Sequence, residues 1–196
     1  MNYLLTFVCY GTRLPGQHGI VNRKFNRQRD PFAEWSPHLL GASSEAMGQS
    51  AYVIDLKRAQ IILTAMLETC AFRAWHVYSI HVRTNHVHAV LGGDAEPERM
   101  LTDLKAYASR KLNELGLDPP EAKRWARHGS TRYLWDDRSL AAAIRYVIDD
   151  QGKPMASYLE SRAGGDPAVI SGDVKGKQSV PASRRKSSAS IRPRRR

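Results

Sequence analysis

The stretch Asn85-His86-Val87-His88-Ala89-Val90-Leu91 decides how this chain is read. It is short, rich in β-branched and apolar residues, and stopped by Gly92-Gly93, as a strand would be. Side chains alternate across a strand, so His86 and His88 face one way while Val87 and Ala89 face the other. Two imidazoles held this close suit a divalent metal. The plainer reading is two exposed histidines on a strand, and only the surrounding elements separate the two.

Working outward, Ala74–Val82 reads as the partner strand of a hairpin turned near Arg83-Thr84. Before it, Asp55 is a plausible N-cap for a helix to about Phe72. Leu56, Ala59, Leu63, Met66, Leu67 and Cys70 recur there at three- and four-residue steps. After the histidines, a helix runs from about Pro97 to Leu115 and is ended by Gly116 and Pro119-Pro120. Leu101, Leu104, Ala108, Leu112 and Leu115 share one face of it, and Tyr107 falls roughly 100° from the centre of that face. Tyr107 is thus a candidate nucleophile, with a ring packed at the helix edge as the bland alternative. Gly129–Trp135 reads as a further strand, and Asp136-Asp137 cap a helix to about Asp149 with Leu140, Ile144, Val147 and Ile148 inward. Residues 3–10 form the first strand. The order strand, helix, strand, strand, helix, strand predicts an α+β, ferredoxin-like split βαβ arrangement. Its antiparallel sheet carries helices on one face, with an extra C-terminal helix and a disordered basic tail.

Composition sets bounds on function. The chain has 196 residues, 42% hydrophobic and 25% charged, enough for one domain with a core. It contains no run of 18 apolar residues, so no membrane span is expected, and the first ten residues read as a strand rather than a signal peptide. Two cysteines, Cys9 and Cys70, suit a reducing cytoplasm better than a disulfide framework. Of the 30 Lys and Arg, nine lie in Ser171–Arg196 beside one Asp; the other 21 face 18 acidic residues. The basic surplus is therefore mostly a tail. A Ser-, Pro- and Arg-rich segment of this kind is expected to be disordered and to hold nucleic-acid phosphates, giving a division into domain 1–160 and tail 161–196. Between Gly11 and Ser50 the chain reads as irregular. There Arg23, Lys24 and Arg27 mingle with Phe25, Phe32 and Trp35, a mixture that fits single-stranded nucleic acid.

The histidine strand and the segment Lys105-Ala106-Tyr107-Ala108-Ser109-Arg110 on the next helix, in this element order, resemble the single-tyrosine transposases of the HUH superfamily. That group includes small insertion-sequence transposases and REP-associated tyrosine transposases, and the resemblance spans about residues 1–150. It implies cleavage and rejoining of single-stranded or hairpin DNA. Tyr107 would become linked to a 5′-phosphate, and His86 and His88 would hold Mg²⁺ or Mn²⁺. Lys105, Arg110 and Lys111 would lie near the DNA. Such enzymes usually place a third ligand one turn after the tyrosine. Here Lys111 stands there, and a protonated Lys has no lone pair; either another residue supplies the ligand, Glu114 ahead of Asp103, or Lys111 itself contacts the phosphate, or the protein binds DNA without cutting it well. Relatives act as dimers or monomers, and a homodimer is one arrangement open to this chain. The rival function is a non-catalytic, ferredoxin-like DNA- or RNA-binding protein. RNA-recognition domains stack bases on central-strand aromatics, which the strand 85–91 lacks.

Overall fold

A computed structural model of the chain describes residues 1–17, 34–152, 155–160 and 168–171. Its elements in chain order are β1 (Asn2–Val8), α1 (Pro37–Glu45), α2 (Leu56–Phe72), β2 (His76–Val82), β3 (His86–Gly92), α3 (Pro97–Glu114), β4 (Ser130–Leu134), α4 (Asp137–Ile148), β5 (Ala156–Leu159) and β6 (Ala168–Ser171). They form one antiparallel sheet of order β4-β1-β3-β2-β5-β6. The first four strands in that order are the split βαβ arrangement expected of the sequence, and β5 and β6 extend it past β2.

Strand alternation builds two different faces. In β1, Tyr3, Leu5 and Phe7 are buried with Val87, Ala89 and Leu91 of β3. Ile62, Leu63 and Met66 of α2 and Leu104, Ala108 and Leu112 of α3 close over them as the main core. Asp55 caps α2 by accepting from the Arg58 amide, and Gly116 ends α3 in a left-handed conformation that a side chain would resist. The opposite face presents Leu4, Thr6, His86, His88 and Val90. Among the described residues it is covered by α4, through a small cluster of Val90, Leu134, Ala143 and Val147. Helices α2 and α3 thus share one face, as expected, and the extra C-terminal helix packs on the histidine side.

Three differences from the sequence reading have physical reasons. Helix α1 lies in a stretch read as irregular. It buries no residue, and its start is set by the Ser36 side chain, which accepts from Leu39, and by Pro37. The strands β5 and β6 are four residues each and owe their form to the free edge of β2, so no internal periodicity announces them. Finally, β6 lies beyond the expected boundary at residue 160; Arg23, Lys24, Arg27 and the tail after Ser171 fall outside the described residues. No described helix is long and apolar enough to cross a membrane, and Cys9 and Cys70 are buried free thiols pushed up to about 12 by burial.

Candidate functional site

The turn between β2 and β3 is fixed from three sides. The Asn85 carbonyl accepts from the Cys9 amide (2.8 Å) and the Thr12 hydroxyl (3.3 Å), and the Thr84 carbonyl accepts from Ile54 (2.7 Å). His86 and His88 leave this turn on one face of β3, their ring centroids 4.8 Å apart. Thr6, opposite His88 on β1, meets its Nδ1 at 2.8 Å. Asn85 Oδ1 meets Nδ1 of His86 at 2.6 Å. An amide oxygen only accepts, so Nδ1 of His86 carries the proton and Nε2 carries the lone pair.

That lone pair faces a second acceptor. Nε2 of His86 lies 3.5 Å from Oε1 of Gln151, whose amide nitrogen donates to the Tyr146 carbonyl at 3.1 Å and so orients the oxygen toward the histidine. Two acceptors facing each other repel unless a proton or a cation lies between them. Burial holds both imidazoles below their ordinary pKa, His88 down to about 4, with His86 adding to the effect on His88. Neutral imidazoles with their Nδ1 atoms engaged leave Nε2 to bind a cation. The residues present therefore fit a divalent ion held by His86, His88 and the Gln151 amide oxygen. Among the described residues no group of three or more His, Cys, Asp or Glu could hold a metal.

These groups line a cavity of about 660 Å³ together with Thr6, Thr12, Arg13, Ser130, Arg132, Ser139 and Tyr146. Among the described residues no carboxylate lines it. Neither the Arg13 nor the Arg132 guanidinium has a hydrogen-bond or ion-pair partner among the described residues. Two unspent cations and two neutral imidazoles make an electropositive recess suited to phosphate. Tyr146, near the end of α4, is 41% exposed and lies edge-on to His88 at 5.3 Å between centroids.

Tyr107 is not part of this cavity. It lies half-buried on α3, on the other side of the sheet. There it lines a shallow groove with Glu68, Phe72, Arg110, Lys111 and Glu114, its ring 4.9 Å from the Arg110 guanidinium. The expectation that Tyr107 and Glu114 meet His86 and His88 is corrected on this ground: within one chain the sheet separates them. Asp103 is likewise committed elsewhere, in an ion pair with Arg73 at 3.0 Å. Lys105 donates to the carbonyls of Ala126 (2.9 Å) and His128 (3.0 Å) and pins that loop rather than facing solvent phosphate. Lys111 pairs with Glu114 at 3.8 Å, and Arg110 is exposed beside Tyr107. The residues missed were Thr6, Arg13, Arg132, Tyr146 and Gln151. A signal for the last two existed: a tyrosine followed about one turn later by a Gln occurs in Arg145-Tyr146-Val147-Ile148-Asp149-Asp150-Gln151.

No protein-family profile matches the chain, and no curated protein sequence does. Among solved structures it is similar to a REP-associated tyrosine transposase bound to a REP hairpin, with TM-score 0.41 and 10% identity over 74% of this chain. The chain spans 63% of that protein's length. It is also similar to a candidate transposase from Deinococcus radiodurans R1, with TM-score 0.38 and 11% identity, covering 77% of this chain and 90% of that one. Likenesses at this level assign no family, and the functional reading stands on the residues of the cavity.

Proposed function

We propose that the chain nicks and rejoins single-stranded or hairpin DNA, as a transposase-like tyrosine enzyme whose nucleophile is Tyr146. The observation that carries this is the meeting of His86, His88, Gln151, Tyr146, Arg13 and Arg132 in one cavity that no carboxylate lines among the described residues. Mg²⁺ or Mn²⁺ held by His86, His88 and Gln151 would supply Lewis acidity at a phosphate oxygen. The chain's own residues do the rest. Arg13 and Arg132 hold the phosphodiester by charge-assisted hydrogen bonds, and Thr6 and Asn85 fix the orientation of the imidazoles. Oη of Tyr146 attacks phosphorus, and the bond from phosphorus to the 3′-oxygen breaks. The phenol gives up its proton, the departing 3′-oxygen gains one, and a 5′-phosphotyrosine remains. Attack by a 3′-hydroxyl reverses these steps and releases the tyrosine. The phosphodiester bond is exchanged rather than hydrolysed, so no nucleotide cofactor is required.

The test is incubation of the full chain with hairpin DNA and Mn²⁺, followed by denaturing electrophoresis. A covalent protein–DNA adduct is expected for wild type and for Tyr107→Phe, and none for Tyr146→Phe. If wild type binds DNA as Tyr146→Phe does and neither forms an adduct, the chain is a binding module built on the same fold.

A further inference from the structure

The last turn of α4 is held in an unusual way. A helix leaves its final carbonyls without intrahelical partners. Here the Arg145 carbonyl accepts from the Asp149 amide, whereas the next two accept from side chains of the histidine face. Gln151 donates to the Tyr146 carbonyl at 3.1 Å, and Nδ1–H of His81 donates to the Val147 carbonyl at 2.9 Å. His81 is fully buried on β2, directly across the ladder from His88. Its Nε2 is also buried and has no hydrogen-bond partner among the described residues.

Burying an imidazole with one nitrogen unsatisfied carries a desolvation cost that a leucine at the same place would avoid. The one side-chain hydrogen bond this residue makes among the described residues is to the helix, at the residue after Tyr146. Meanwhile α4 is weakly anchored otherwise: of its twelve residues only Ala143 and Val147 are fully buried. Rotation or sliding of so lightly packed a helix would carry the Tyr146 ring away from His88. We propose that His81 is a positioning residue, locking the turn of α4 that presents Tyr146 against the strand that carries His88. Its value for catalysis rests on Tyr146 being the nucleophile; the geometry it enforces does not.

The experiment uses the full chain with 3-fluorotyrosine throughout, the Tyr146 signal being assigned by its loss in Tyr146→Phe. His81→Asn keeps a donor where Nδ1 stands, and His81→Leu removes it. In the ¹⁹F spectrum, Tyr146 should sit at one displaced position in wild type and His81→Asn, and move toward the exposed-tyrosine value in His81→Leu. With saturating hairpin DNA and Mn²⁺, adduct formation should slow about tenfold to a hundredfold in His81→Leu and recover in His81→Asn, with the half-saturating DNA concentration unchanged. A wild-type Tyr146 signal in His81→Leu overturns the inference, as does equal slowing in both variants. Should His81→Leu not fold, His81→Gln, whose donor lies one bond further out, takes its place. Absence of adduct in wild type would sink the nicking reading alone, since the fluorine comparison still decides the positioning.

Discussion

The two faces of one sheet divide the labour of this molecule. On the α2–α3 face, Leu5, Phe7, Val87, Ala89 and Leu91 meet two long helices in a continuous apolar core. On the α4 face, the residues between them in the same strands, Thr6, His86 and His88, meet one short helix and leave a 660 Å³ cavity. One face is filled and the other is left open by design of the alternation. Helices α3 and α4 each carry a tyrosine at the border of an apolar stripe, Tyr107 and Tyr146. Only the second helix is on the side of the histidines. What a tyrosine can do therefore depends on which face its helix covers, a property of the topology rather than of the helix.

The contrast can be broken in several places. The largest effect is expected at the histidines: His86→Ala and His88→Ala should each lower adduct formation by about a hundredfold or more, with DNA affinity within a few-fold of wild type. Calorimetry should show Mn²⁺ binding weakened in both. A parallel loss of DNA binding would deny them a metal role. Stability should report the filled face more than the open one. Leu104→Ala, in the main core, should cost about 2–5 kcal/mol in urea unfolding, and the half-buried Leu140 of α4 about 1 kcal/mol or less on the same change. Equal losses would mean that α4 is anchored as firmly as α3.

The next effect depends on pH. His88 is buried with its pKa lowered from the ordinary 6.5 to about 4, so between those values the unfolded chain takes up a proton that the folded chain refuses. The stability is fully present above about pH 6.5 and is lost as pH falls toward 4, by roughly 2–3 kcal/mol in metal-free buffer. His88→Asn should flatten that part of the profile. Asp118 behaves differently: burial raises its pKa, but hydrogen bonds from Tyr52, Arg124 and Arg58 outweigh this and hold it below the ordinary carboxylate value. Its contribution is lost only at lower pH, so the two windows can be told apart. A profile for His88→Asn that matches wild type would place the imidazole in water. The smallest effect is expected at the rim. Arg132→Ala should reduce the slope of log affinity against log salt by about one unit, and Arg110→Ala, on the other face, should leave it unchanged.

Much of the fold is legible in the sequence because burial writes a period into it. The three- and four-residue steps of α2, α3 and α4 and the alternation in β3 mark those elements within a residue or two. Where burial writes nothing, the sequence is silent: α1 buries no side chain, and β5 and β6 borrow their form from the edge of β2. The site divides in the same way. His86 and His88 are legible as a pair because a strand places residues two apart on one side. Their partner tyrosine is not, since Tyr107 and Tyr146 look alike along the chain and differ only in the side of the sheet their helices cover. Lys105 misleads for a related reason. Its stem and ammonium are drawn in over the Phe7 ring to the carbonyls of Ala126 and His128, a fate its sequence neighbours do not announce.

Identification of the tyrosine that carries DNA is the most direct test. After reaction of the full chain with hairpin DNA and Mn²⁺, nuclease trimming and proteolysis should leave a nucleotide-bearing peptide that mass spectrometry assigns by sequence. The peptide containing Arg145-Tyr146-Val147 should carry the phosphate. A nucleotide on Tyr107 instead would contradict the account, because within one chain that residue cannot reach the histidine cavity.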